Sequence, residues 1–486
     1  MNPLLKCLMV MFLLNQLAFA QTTWGDAAYL NTNAEVDAGG DSEPNLAVDS
    51  QGRWMAVWSS TDSRDDTVGT DFDIFGAVST DNGLTWSPSF VINSAEMDSG
   101  LDFEPCVATD GNGRWVVVWR SNDPQGNFGS DYDIFYSISD DHGAGWTTPA
   151  AVSITASSDT GDEFFPSIAS DGGNGWMCTW QSNDPNGNTG TDNDIFVATS
   201  ADNAATWTTA LLLNSDGESD SGQDNNPEVK TDGRGVWIIV WASQNMILAR
   251  SGGLDRDIVF SRSQDFGTTW SDPAPINDYA FTDSANDTNP DLATDGAGNW
   301  LAVWSTDHDL GTNGTDNDVM FSRSIDSGVT WTSARAIEGT TDAVNDAVPR
   351  IHYGAGSWVT VWAGNNDPGD SGTDTDIYSS ASTDMGLAWS TRTLVNDYAL
   401  TDSANNFDNR PHLNYGDGRW LSVWSGSITN EDGDIVFALS PPAGCTIPDS
   451  FAPTVATWPS SVSILNLVQI INEACGLASA LAKQDE

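Results

Sequence analysis

The chain has 486 residues, of which 69 are Asp or Glu and 17 are Lys or Arg, giving a formal net charge of −52. A surface this acidic repels nucleic acid and anionic membranes, which excludes both as partners. Apolar residues make up 39% and aromatic residues 10% of the chain, enough for a large core, so the acidity does not signal disorder.

From the N-terminus, Lys6, an apolar run from Leu8 to Leu14 and the small-residue end Ala18-Phe19-Ala20 predict a secretory signal peptide over 1–20, cleaved before Gln21. No later stretch is apolar and long enough to span a bilayer. The expectation is an exported monomer without a membrane span, secreted or held at a cell surface. Cys106 and Cys178 sit singly in predicted strands, as buried thiols. Cys445 and Cys475 flank the C-terminal segment and could pair, because export permits disulfides.

Tryptophan then sets a period. Pairs four residues apart occur at Trp54/Trp58, Trp115/Trp119, Trp176/Trp180, Trp237/Trp241, Trp300/Trp304, Trp358/Trp362 and Trp420/Trp424. A third Trp closes a turn in six units, at Trp86, Trp146, Trp207, Trp270, Trp331 and Trp389. Within the second unit, Pro105 to Asp110 reads as a first strand and Arg114 to Trp119 as a second, apolar on both faces. Helical spacing would also fit each Trp pair, but the β-branched run between them and the Gly-rich flanks favour a strand. Ile134 to Ile138 follows as a third strand and Trp146 to Ile154 as a fourth. A period near 60 residues with this patterning predicts a radial array of small sheets.

Between third and fourth strands lies a turn with fixed chemistry. It reads Ser79-Thr-Asp81-Asn-Gly83-Leu-Thr85-Trp86 in the first unit and recurs around Asp141, Asp202, Asp265, Asp326 and Asp384. The carboxylate can accept backbone N–H bonds, Gly permits positive φ, and Trp plugs the gap beneath. This resembles the Asp-box, or bacterial-neuraminidase (BNR) repeat, S-x-D-x-G-x-T-W, of the sialidase-like propeller superfamily, over roughly residues 22 to 440. Departures are small: Ala204 replaces Gly, and Gly145 and Ala388 replace Thr.

Seven sets of the first three strands need seven fourth strands, and only six follow an Asp-box. Thr22-Thr-Trp24 to Leu30 carries the signature of the missing one, so an N-terminal strand is expected to close the ring and leave no open sheet edge. The predicted fold is an all-β, seven-bladed β-propeller over 21–440, followed by a tail over 441–486. In the tail Ser463, Asn466, Gln469 and Asn472 alternate with Ile464, Leu467, Val468 and Ile471, as in a short amphipathic C-terminal helix docked on the ring or on a partner.

Two places could carry chemistry. The loops between second and third strands end in Asp-x-Asp: Asp71/Asp73, Asp131/Asp133, Asp192/Asp194, Asp316/Asp318 and Asp374/Asp376, with Asp255/Asp257 and Asp432/Asp434 alike. Carboxylates at i and i+2 can share a hard cation with backbone carbonyls, so Ca²⁺ is the ion these loops suit, although no motif requires a cofactor. The second place is where the repeat breaks. Beside the Pro of each first strand, expected near the channel mouth, stand Glu43/Asn45, Glu104/Cys106, Phe165/Ser167, Asn226/Glu228, Asn289/Asp291, Val348/Arg350 and Arg410/His412. Converging Arg350 and Arg410, with His412, suit a carboxylate or sulfate ligand, or else form ion pairs with a neighbouring Asp or Glu.

The resemblance to sialidases implies three arginines on the substrate carboxylate, a Tyr–Glu nucleophile pair, an Asp acid/base and an Arg-Ile-Pro motif. Here Ser42-Glu43-Pro44 stands in the corresponding place, and a third arginine would have to come from Arg64, Arg120 or Arg256. Sialidases proper are also six-bladed. The leading expectation is therefore a non-catalytic surface protein that binds a glycan or an extracellular protein through Arg350, Arg410, His412, Glu43 and Glu104. The alternatives are an exo-α-sialidase or other glycoside hydrolase, and a Ca²⁺-loaded structural scaffold.

Overall fold

A computed structural model describes residues 22–442, less 33, 35–38, 63–70, 94–99, 124–129, 155, 158–159, 185–189, 191, 215–221, 245–254, 281–283, 309–315, 338–344, 366–374, 397, 399–407 and 429–432. The signal peptide, the Cys445/Cys475 pair and the tail helix lie outside the described residues. Seven four-stranded antiparallel sheets form the blades of a propeller. The first blade runs Asp41–Val48, Trp54–Ser60, Asp73–Ser79 and Phe90–Val91 from the channel outward. In the last blade the outer strand is Ala28–Tyr29, paired with Asp434–Leu439, so the N-terminal segment closes the ring as expected. Among the described residues no helix is long and apolar enough to cross a membrane.

Burial explains the pattern of the second strands. Trp176–Ser182, Trp237–Ser243 and Trp300–Thr306 are buried at every residue, because each is flanked within its sheet and covered by neighbouring blades on both faces. Mostly apolar side chains therefore fill both faces of these strands, and each interface between blades becomes its own apolar cluster. One such cluster joins Trp54, Trp58 and Phe75 of the first blade to Leu421, Val423 and Ile435 of the last.

The Asp-box is structural. Asp81 Oδ1 accepts the Thr85 N–H at 2.9 Å, Oδ2 accepts the Thr85 hydroxyl at 2.6 Å, and Ser79 Oγ accepts the Gly83 N–H at 2.9 Å. Where Ala204 replaces Gly, the turn still holds φ at 60°, a strain that the same hydrogen bonds sustain. The box Trp also clips its blade to the preceding one, edge-on against the third strand: Trp86 on Phe437, Trp331 on Phe260 and Trp389 on Phe321.

Two boundaries differ from the sequence reading. The outer strands are two residues long, as at Ala150–Ala151, because a side chain replaces part of the ladder. The Thr147 hydroxyl accepts the Ile138 N–H at 3.0 Å, and Ser87 and Ser390 do the same in their blades. The inner strands begin three residues earlier than expected, at Asp102 rather than Pro105 in the second blade. Their register slips between Phe103 and Cys106, so Glu104 and Pro105 form a bulge, tolerated because this edge faces the channel and not another strand.

Neighbouring blades are tied by a buried carboxamide. Asn93 Nδ2 donates to Asp73 of its own blade and to Asp102 of the next, each at 2.8 Å. Asn214, Asn277 and Asn396 repeat the bridge, and Asn31 makes it across the ring closure, to Asp434 and Asp41. Asn31→Ala should remove the side chain that donates to both carboxylates there and cost about 3 kcal/mol. Asn112→Ala, in an exposed turn, should cost no more than about 0.5 kcal/mol. Urea unfolding of the two variants checks this; equal midpoints would show that the bridge does not hold the closure.

Candidate functional site at the channel mouth

Each inner strand enters the channel through its bulge, and the residue before the Pro is left-handed in all seven blades: Glu43, Glu104, Phe165, Asn226, Asn289, Val348 and Arg410 have φ between 49° and 58°. A left-handed conformation before Pro runs against local preference, and for β-branched Val348 it is a genuine outlier. Such strain persists only where the surroundings over-determine it. The bulge turns these side chains, and those after the Pro, around a cavity of about 350 Å³. Glu43, Glu104, Arg350, Arg410 and His412 all line it, so the structure brings the five expected residues together.

Its electrostatics differ from an open pair of arginines. Arg410 is bonded to Glu43, and Arg350 Nη1 lies 3.3 Å from Glu228. Lys230 reaches Glu228 at 3.5 Å and Asp291 at 3.8 Å, completing a charge network inside the channel. Burial alone would raise the Glu228 carboxyl, but Lys230 and Arg350 hold it below its usual value. Burial drives His412 well below the usual imidazole range, with Arg350 and Lys230 adding to the effect, so its ring is neutral.

Glu104 behaves differently. Burial pushes its carboxyl up to about 7, against the opposing charge of Arg120 at 3.2 Å and with help from Glu43. Glu43 Oε2 accepts the Glu104 N–H at 2.7 Å, and Glu104 Oε2 accepts the Phe165 N–H at 2.8 Å. The carboxylates thus run in relay from blade to blade, each tied to the next backbone.

Lys230 and His352 were not singled out from the sequence as channel residues. The signal was present: three residues past each Pro stand Ala47, Ala108, Ala169 and Ala293, whereas the fourth, sixth and seventh blades carry Lys230, His352 and Asn414. Of the possible third arginines, Arg120 is committed to Glu104 and to three aromatic rings, Arg256 precedes the third strand of blade four, and Arg64 lies outside the described residues.

The Asp-x-Asp residues fall elsewhere. Asp73, Asp133, Asp194, Asp318 and Asp376 are the buried starts of third strands or lie within them, and Asp73, Asp194 and Asp376 each accept a bridging Asn. Asp71, Asp131, Asp192 and Asp316 precede them, and Asp374 lies outside the described residues. Among the described residues no group of three or more acidic, His or Cys side chains is placed to hold a metal ion.

The family model for the BNR repeat-like domain matches residues 52–342, and the chain belongs to that family. The fold and the repeat make this a sialidase-like propeller. No curated protein matches the chain. Among solved structures it is similar to a protein of unknown function from Dyadobacter fermentans, at 13% identity and a TM-score of 0.49 over 86% of this chain and 98% of that one. It is also similar to an α-L-arabinanase of Penicillium chrysogenum complexed with arabinobiose, at 12% and 0.47 over 86% and 98%, and to a Hadza microbial sialidase, at 17% and 0.43 over 66% and 63%. Likeness at this level concerns the fold alone.

Because Glu104 takes up its proton more readily folded than unfolded, its contribution to stability is full below pH 4.5 and is lost as the pH rises through 7. Glu104→Gln, which cannot ionise, should therefore gain Tm relative to the unsubstituted protein between pH 5 and pH 8. His352, lowered to about 4 by burial, and His412 act in the opposite sense below pH 6.5, but equally in both proteins. A Tm difference independent of pH would refute the assignment.

Proposed function

We propose that this is an exported, non-catalytic glycan-binding propeller whose ligand sits at the channel mouth. The observation that carries the reading is that Arg350 and Arg410 are already matched to Glu228 and Glu43. A pair of guanidiniums so occupied leaves little field for a sialic acid carboxylate. What remains at the mouth is hydrogen-bonding capacity, chiefly the amides of Asn45, Asn226, Asn289 and Asn409. Such groups suit hydroxyls, which both donate and accept. Export by way of residues 1–20 would place the site where glycans of other cells or of a matrix are met. Ca²⁺ enters this reading only as a counter-ion to an acidic surface.

One observation favours hydrolysis as a second reading. Burial pushes the Glu104 carboxyl up to about 7, and Glu43 stands beside it; a raised carboxyl next to a second one is a pairing that an acid and a base or nucleophile require.

The test is a glycan array followed by turnover assays on the same hits. Binding without product, weakened at least tenfold by Arg410→Ala, is the expected result. Release of 4-methylumbelliferone from its sialic acid conjugate, lost in Arg350→Ala and Arg410→Ala alike, would overturn it in favour of a sialidase. Hydrolysis of a neutral glycoside lost in Glu104→Gln would favour the second reading.

A further inference from the structure

Seven-fold repetition makes departures from symmetry easy to see, and one lies beside the channel mouth. At the middle of each Asp-x-Asp stand Phe72, Tyr132, Asn193, Arg256, Asn317, Thr375 and Gly433 in blade order. Two residues before each Pro stand Ser42, Phe103, Phe164, Asn225, Thr288, Ala347 and Asn409. The fold requires no ring at either position, since four or more blades do without one. Yet Phe72, Phe103, Tyr132 and Phe164 gather on consecutive blades, one to three, and all four are only half-buried.

These rings form a continuous arc. Phe72 and Phe103 have centroids 4.6 Å apart, and Tyr132 and Phe164 lie 6.3 Å apart. Between the two pairs the Arg120 guanidinium lies over three rings, 5.0 Å from Phe103, 4.8 Å from Tyr132 and 5.0 Å from Phe164. Arg120 also meets Glu104, and Phe165 follows Phe164, so the arc runs into the channel-mouth cavity. At the next interface, between blades three and four, amides stand instead: Gln181, in the place of Arg120, and Asn193 both donate to Asn225 Oδ1, at 3.2 and 3.0 Å.

We infer that this arc, aromatic over blades one to three and amide between blades three and four, is a platform for a neutral oligosaccharide that extends outward from the channel mouth. The inference rests on the glycan-binding reading and adds the chemical class of the ligand and its path. The parts of the rings left uncovered by Arg120 offer apolar surface to the C–H side of a pyranose or furanose, while the flanking amides and Glu104 meet its hydroxyls. Clustered apolar surface rimmed by polar groups is a mark of a binding groove. Arg120 lies among the rings and meets Glu104 at 3.2 Å, and the −52 charge repels acidic polysaccharides.

The experiment is calorimetric titration of the purified chain with xylohexaose, cellohexaose, laminarihexaose, mannohexaose and arabinohexaose, with an oligogalacturonate as the anionic comparison. At least one neutral hexasaccharide should bind, and Phe103→Leu and Phe164→Leu, which keep apolar volume without a ring face, should each weaken it at least tenfold. Thr288→Ala and Asn317→Ala, at the equivalent positions of blade five, should leave the affinity within twofold. Circular dichroism and Tm verify that each variant is folded; should Phe103→Leu not fold, Phe72→Leu replaces it. Binding that survives loss of the rings but falls in Arg410→Ala would overturn the platform and leave the channel-mouth reading standing. Binding of the oligogalacturonate alone would also overturn the platform, and binding of no glycan would sink both.

Discussion

The ring depends on a carboxamide that donates to two buried carboxylates at once, one from each of two neighbouring blades. A sheet packed face to face on its neighbour by Trp, Val and Ile alone could slide, because apolar contact is not directional. The Asn amide removes that freedom: its two N–H bonds point to Asp73 and Asp102 in the first interface, and its oxygen accepts the Ile74 N–H at 3.1 Å. Between blades two and three the solution differs. Ser153 stands where an Asn would, and the longer Glu163 replaces Asp at the strand start, so that its carboxylate itself accepts the Ile134 N–H at 3.0 Å. Indole groups reinforce the same points, as where Trp119 and Trp241 donate to Asp102 and Asp224 at 2.8 Å. Much of the chain's acidity is thus inside, fixed by donors, and part of it resists ionisation: burial raises Asp73 to about 6.

At the channel the same economy of acceptors explains why the rim can vary. The residue after the Pro supplies an acceptor to the next blade's backbone: Asn45 to Val107, Ser167 to Val229, Asp291 to Ile351, and the Cys106 sulfur to Ile168. Amide, hydroxyl, carboxylate and thiol serve equally, so this position can change chemistry without loosening the ring. Arg350 has no acceptor to offer, and the buried His412 Nδ1 has no hydrogen-bond partner among the described residues. They are where the rim gives up symmetry, and the charge network of Glu228, Lys230 and Asp291 gathers around them.

The architecture was legible because it rests on periodic features: the Trp pairs, the Asp-box and a stray N-terminal Thr-Thr-Trp24 each point to one solution. The positions of Glu43, Glu104, Arg350, Arg410 and His412 at one mouth follow from that periodicity as well. What the sequence did not carry was the bulge before each Pro, since local preference for the residue before proline points to extended backbone. Nor could it show which acid each arginine meets, because Arg410 and Glu43 are separated by nearly the whole chain and touch only across the ring closure. The aromatic arc was hidden for a different reason: Phe72 and Tyr132 read as loop residues until the fold places them against Phe103 and Phe164.

The few cations clarify what the acidic rim is built to do. With so few basic residues against so many acids, an arginine in the channel finds a carboxylate before it finds a ligand. Arg410 steadies Glu43, whose other oxygen holds the next blade; Arg120 steadies Glu104, which does the same one blade further on. These guanidiniums act as struts that let carboxyls face a narrow cavity without mutual repulsion. The mouth they support is nearly neutral and rich in donors and acceptors. Hydroxyl recognition asks for that balance, and capture of an anion does not.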